Sequence, residues 1–149
     1  MTFVDTALQI ATDAHRGQVD KAGVDYINHP KTVASFVSTD EEKAVAYLHD
    51  VLEDTTVTEM DLQDAGIPSN VIQAVLILTK KKGQSYQQYL ENVKKNSLAR
   101  AVKLADLKHN SDLSRISVPT EKDYKRLEKY QKATEYLKGS GIEVFSGRK

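Results

Sequence analysis

Leu48-His49-Asp50-Val51-Leu52-Glu53-Asp54-Thr55 is the stretch on which the reading of this chain turns. The adjacent His49 and Asp50 offer an imidazole nitrogen and a carboxylate oxygen, a mixed set that divalent transition metals accept. Glu53 and Asp54 follow four residues behind, which on a helix is one turn along the same face. Ala44, Val45, Leu48, Val51 and Leu52 give the run an apolar side, and no Lys or Arg follows Lys43 within it. A solvated helix face usually mixes both signs. The pattern predicts a helix from Glu41 to about Asp54 that carries one acidic, imidazole-bearing patch. Taken alone, the same segment also reads as an ordinary charged surface, so the rest of the chain decides.

Working outward, the chain has four histidines, and one of them, His29, stands in Tyr26-Ile27-Asn28-His29-Pro30. Downstream, Val102-Lys103-Leu104-Ala105-Asp106-Leu107-Lys108-His109-Asn110 places Asp106 in an apolar helical context. A buried carboxylate needs a partner, because an unpaired buried charge is costly, and a metal is one such partner. His29, His49, Asp50 and Asp106 then make a set of two imidazoles and two carboxylates drawn from three helices. Such a site leaves coordination positions open for water and a substrate oxygen, which suits metal-assisted hydrolysis of a phosphoester. Glu53 and Asp54 are too near Asp50 in sequence for all three to reach one ion with good geometry. They belong beyond the ligands, holding the water or taking its proton.

The order His…His-Asp…Asp resembles the HD-domain metal phosphohydrolase superfamily. Four blocks in order carry a closer likeness: Ala14-His15-Arg16-Gly17-Gln18, Lys21-Ala22-Gly23-Val24-Asp25-Tyr26-Ile27-Asn28-His29-Pro30, the stretch from His49 to Thr55, and the stretch from Lys103 to Asn110. Together they resemble the hydrolase domain of RelA/SpoT-type alarmone enzymes, most of all its small stand-alone members. The likeness implies that His29, His49, Asp50 and Asp106 are metal ligands, usually for manganese. It implies that Glu53 and Asp54 orient and activate the attacking water. Lys21, Tyr26 and Asn110 match residues at the nucleotide pocket. The implied fold is an all-α, compact multi-helix bundle with the metal site between central helices. The implied reaction removes the 3′-pyrophosphate of guanosine tetra- or pentaphosphate.

Three positions depart from the family pattern. Asp20 stands where an arginine commonly packs on the guanine base, Asp25 where a proline precedes the tyrosine, and Leu107-Lys108 where Arg-Leu precedes His-Asn. A carboxylate in place of a planar cation removes stacking and repels phosphate. Asp20→Arg is therefore expected to improve affinity for guanosine tetraphosphate. Two other readings stand beside this one. One is an HD-type phosphohydrolase acting on another nucleotide or phosphorylated metabolite. The other is a module that binds a nucleotide without cleaving it, against which the presence of all six metal and acid residues argues.

The composition agrees with a compact enzyme. A chain of 149 residues suits one hydrolase domain over residues 1–149, with the tail from 139 unassigned. Lys+Arg and Asp+Glu are both 21, so global charge offers no case for DNA or RNA as partner. No cysteine is present, which excludes disulfides and thiolate ligands and agrees with the cytoplasm. No secretory leader or membrane span is visible. The length leaves no room for a synthetase domain, and the oligomeric state is left open.

Helical spacing predicts helices from about Val4 to Arg16, from His29, over Glu59–Ala65, Ser69–Thr79, Tyr86–Lys95 and Leu98–Leu113, and from Thr120 to about Leu137. The apolar Ser69–Thr79 segment is expected at the centre. His15 reads as a helix-end or supporting histidine, and His109 as structural or phosphate-facing, each in preference to direct ligation. Lys80-Lys81-Lys82 reads as a solvated turn, with a phosphate-attracting rim as its alternative. Lys103 and Arg115 are read equally as phosphate contacts or surface, and Tyr86 and Tyr89 as core.

Overall fold

Five helices begin with the same local device. Thr2, Thr39, Thr58 and Ser85 each accept, on the side-chain oxygen, an N–H from the residue three positions on, while the Thr120 carbonyl accepts that of Asp123 and its hydroxyl donates to the Asp123 carboxylate. In all five the side chain three positions on (Asp5, Glu42, Asp61, Gln88 and Asp123) returns the bond to the cap. In the computed structural model, which describes residues 2–20 and 22–139, these caps open α1 (Phe3–Ala14), α3 (Asp40–Leu48), α5 (Glu59–Asp64), α7 (Tyr86–Lys95) and α9 (Glu121–Leu137). The rest are α2 (Asn28–Ser35), α4 (Val51–Asp54), α6 (Ser69–Leu78), α8 (Ser97–Asn110) and a 3-10 turn at Leu113–Arg115. Among the described residues there is no strand, only an isolated bridge between Val19 and Asp25. Lys21 and the tail residues Ile142, Val144 and Phe145 lie outside the described residues.

The all-helical expectation holds, with two corrections to the elements. The predicted helix from Glu41 to Asp54 is two helices, broken at His49-Asp50. The His49 ring causes the break: its Nδ1 takes the Ala46 carbonyl at 2.6 Å, the group that the Asp50 N–H would meet in a continuing helix. Helical bonding resumes at once, with Asp54 N–H on the Asp50 carbonyl. The predicted Leu98–Leu113 helix stops at Asn110, because the Asp112 carboxylate takes the Ser114 N–H and starts the 3-10 turn.

The core runs between α3 and α8, which pack on each other and gather the remaining helices. Ala44, Val45, Ala46 and Leu48 of α3 are fully buried, as are Ala99 and Val102 of α8. The small residues let the helix axes approach closely. The apolar α6 buries Val71, Ile72, Ala74, Val75 and Leu78 against both. It supports the central pair rather than forming the centre itself. α1 and α2 cover the other side of α3, and α9 closes over α7 and α8.

Candidate metal centre and its cleft

Three of the predicted ligands meet in the fold. One ligand atom from each of His29, His49 and Asp106, all buried, lies within 4.8 Å of the others. His29 comes from the first turn of α2, His49 from the end of α3, and Asp106 from the middle of α8. The packing of α3 between α2 and α8 is what brings them together. Asp50 stands beside them, with its Oδ2 3.1 Å from His49 Nε2, and it accepts a hydrogen bond from the Tyr26 hydroxyl.

The bonding outside the cluster suits a cation inside it. His49 Nδ1 donates to the Ala46 carbonyl, so the neutral ring carries its lone pair on Nε2. That Nε2 is buried and has no hydrogen-bond partner among the described residues, although Asp106 Oδ1 lies 3.4 Å away. His29 follows the same logic. Its Nδ1 lies 2.7 Å from His109 Nδ1, and its Nε2 lies 2.8 Å from Asp106 Oδ1. When His29 donates from Nδ1, His109 accepts and His29 Nε2 faces the cluster bare. Burial, then Arg115 and His29, push the His109 imidazole down to about 4, so it is neutral and able to accept. Outer partners of this kind fix the tautomer of metal-binding histidines. The donor set therefore fits a divalent ion.

Charge is concentrated in this small volume. Burial opposes ionisation of Asp106, yet the Lys103 ammonium 3.0 Å from its Oδ2, with His29 and His49, holds the carboxyl well below its usual range. Asp50 is held down to about 2, its burial outweighed first by His49. Burial works against the charge on His49 as well, but Asp50 and Asp106 draw its pKa well above the ordinary value. Glu53 and Asp54 stand apart and exposed on the one-turn α4. Both carboxyls are raised, first by burial and then, for Asp54, by the charge of Asp50. Glu53 Oε1 accepts the Lys80 N–H at 3.2 Å, and the Asp54 carbonyl accepts from Gln18 Nε2 at 3.4 Å.

A cleft of 570 Å³ opens beside the cluster, lined in part by Tyr26, His29, Asp50, Asp106 and Asn110. Asn110 Nδ2 donates to Asp106 Oδ1 at 3.1 Å. The cleft also takes in residues that sequence reasoning did not assign to it: Arg126, Lys129 and Tyr130 from α9, and Tyr86, which lies under Lys129 Nζ at 4.1 Å. The spacing 126, 129, 130 puts three such groups on one face of α9, a signal that was open to reading. Lys103 is an ion-pair partner of Asp106 rather than a surface group, and Tyr89 is core, with its hydroxyl on the Leu78 carbonyl. Lys80, Lys81 and Lys82 are exposed and do not line the cleft, as a solvated turn requires. A larger groove of 650 Å³ beside Phe36, Leu104 and Thr134 holds no such cluster of ligands.

Asp20 proves to be a structural carboxylate. Its Oδ1 accepts the Ala22 and Val24 N–H groups, and its Oδ2 lies 3.4 Å from Arg115 Nη2. Arg115 also donates to the His109 carbonyl. The expected loss of a cation at position 20 is thus answered by a guanidinium arriving from the far side of the cleft.

The chain is 38% identical over 115 residues to guanosine-3′,5′-bis(diphosphate) 3′-pyrophosphohydrolase of Haemophilus influenzae, covering 68% of this chain and 17% of that protein. It is 34% identical over 118 residues to the bifunctional (p)ppGpp synthase/hydrolase SpoT of Escherichia coli, covering 70% and 17%. The chain thus spans about a sixth of the length of these curated relatives. A solved structure described as a metazoan ortholog of SpoT that hydrolyzes ppGpp superposes with a TM-score of 0.76 at 27% identity, over 94% of this chain and 88% of that one. No family model matches the chain. No helix among the described residues is long and apolar enough to cross a membrane.

Proposed function

Because this chain belongs to the RelA/SpoT-type hydrolase domains, we propose that it is a metal-dependent phosphohydrolase that removes the 3′-pyrophosphate from guanosine tetra- or pentaphosphate. The observation that carries this reading is the convergence of His29, His49 and Asp106 beside a cleft lined by Lys103, Arg115, Arg126 and Lys129. Manganese is the proposed ion, with Asp50 completing the ligands and the Tyr26 hydroxyl fixing its orientation. When bound, a divalent ion lowers the pKa of water and polarises a phosphoryl oxygen.

The chain's own residues would do the rest. Glu53 and Asp54 hold the attacking water and take its proton, and their raised pKa values make them stronger proton acceptors than ordinary carboxylates. Arg126 and Lys129 offer positive charge to a substrate carrying two diphosphates, with Tyr86 and Tyr130 beside them. Asn110 spends its amide nitrogen on Asp106 and keeps its oxygen for the nucleotide. Lys21 is assigned to the nucleotide on its place in the chain, between Asp20 and Ala22, which both line the cleft. The proposed unit is one hydrolase domain acting in the cytoplasm.

Asp20 favours a second reading, hydrolysis of another nucleotide or phosphorylated metabolite. The two are separated by turnover of manganese-reconstituted protein on guanosine tetraphosphate, guanosine pentaphosphate and plain nucleoside mono- and triphosphates. Pyrophosphate release from the tetraphosphate, with GDP as co-product, supports the first. Phosphate release from the others, with the tetraphosphate untouched, supports the second. Glu53→Gln is expected to keep the metal and lose turnover; near-normal turnover would remove Glu53 from its role.

A further inference from the structure

His15 is a buried titratable residue that the reaction above leaves unused. It ends α1, is 2% exposed, and packs its ring 4.9 Å from that of Tyr26. Its Nδ1 lies 3.0 Å from Gln18 Oε1, and the other end of the Gln18 amide donates to the Asp54 carbonyl. A carbonyl only accepts, so the NH₂ of Gln18 must face Asp54 and its oxygen must face His15. His15 therefore carries its proton on Nδ1. Its Nε2 is left a bare acceptor, buried and without a partner among the described residues. Leaving such a group unmet is unfavourable, and an apolar side chain would fill the space without that penalty. What the imidazole contributes is the Nδ1–H.

That bond matters because of where it leads. α4 is a single turn, too short to hold its direction through its own hydrogen bonds. Asp50 precedes it, and Glu53 and Asp54 end it. The loop after His15 grips both ends: Tyr26 at Asp50, and Gln18 at the Asp54 carbonyl. His15 touches both gripping residues. We propose that His15 is a positioning residue. Its Nδ1–H selects the Gln18 amide orientation that ties down the end of α4, and with it the Glu53 and Asp54 carboxylates, relative to the metal cluster. This inference rests on the hydrolytic role assigned above to those two carboxylates.

The test compares His15→Ala, His15→Gln and His15→Asn in manganese-loaded protein, reading kcat, KM, manganese affinity and Tm. Asparagine carries its amide at the position of Nδ1 and keeps the donor; glutamine carries its amide at the position of Nε2. His15→Ala and His15→Gln are expected to lower kcat about tenfold or more, as a misplaced catalytic group does, with KM and manganese affinity little changed. His15→Asn is expected to recover most of that kcat. Gln18→Ala should match His15→Ala, and the double variant should be no worse than either, since both cut one chain of contacts. Losses of kcat that follow Tm across all three variants, or additive losses in the double variant, would overturn the proposal and leave His15 a packing residue. If guanosine tetraphosphate is not turned over by the unmodified protein, the substrate reading fails separately. The same series on manganese-dependent hydrolysis of bis(p-nitrophenyl) phosphate then decides the role of His15, by the same outcomes.

Discussion

At the scale of single residues, the site is a set of paired charges, and each pair predicts a cost. Asp20 accepts two N–H groups and faces Arg115. Asp20→Arg would lose those bonds and set two guanidinium groups together. The structure thus reverses the outcome expected from sequence: affinity for guanosine tetraphosphate should weaken by about 1 kcal/mol, roughly fivefold, in equilibrium binding. Lys103 is the largest influence holding Asp106 ionised. Lys103→Met removes the closest full countercharge of that buried carboxylate, leaving it His29, His49 and Asn110, and should cost about 2–3 kcal/mol in denaturant unfolding of the metal-free protein. The loss should shrink when manganese is added, because the ion would supply Asp106 with the countercharge that Lys103 no longer gives and so stabilise the variant more than the parent. His49 provides the pH dependence. Burial opposes its charge, but Asp50 and Asp106 draw its pKa upward from the ordinary value, so in the metal-free protein a proton competes with the ion for Nε2. A ligand nitrogen must be neutral, so manganese binding should release a proton, and affinity should rise by about tenfold per pH unit through neutrality. Calorimetry in buffers of different ionisation enthalpy reads this directly. Binding without proton release at pH 7 would mean that His49 is already neutral.

At the scale of elements, the break between α3 and α4 is the decisive local event. It turns one predicted helix into a long, anchored one and a single turn held from outside by Gln18 and Lys80. The doublet at its junction thereby buries His49 and leaves Glu53 and Asp54 exposed, with Asp54 close enough to feel the charge of Asp50. α8 carries Asp106, and its start depends on the Asn96 side chain, which accepts the Ala99 N–H at 2.9 Å. Asn96→Ala should cost about 1 kcal/mol. In a thermal melt that is a fall of about 2–4 °C. A change near zero would mean that packing on α3 and α7 alone sets where α8 begins.

At the scale of the whole molecule, the ligands are held because α3 and α8 share one core. Leu48 is fully buried one residue before His49. Leu48→Ala should cost about 2–5 kcal/mol through lost burial and the cavity left behind. Val118→Ala, at a side chain 76% exposed, should stay within about 0.5 kcal/mol. Equal effects on unfolding would contradict the core described here. Helical class, the order of the helices and most of their boundaries were legible in the chain alone, because capping and apolar spacing act within a few residues. The sequence also singled out His29, His49 and Asp106, which meet in one buried cluster, since imidazoles and carboxylates in apolar surroundings stand out in any chain. Tertiary structure alone decided the rest. Arg115 answering Asp20, and Arg126 and Lys129 turning into the cleft, join residues distant in sequence or set by helix orientation. No local pattern encodes those distances; they exist only once α2, α8 and α9 have packed around α3 and its neighbours.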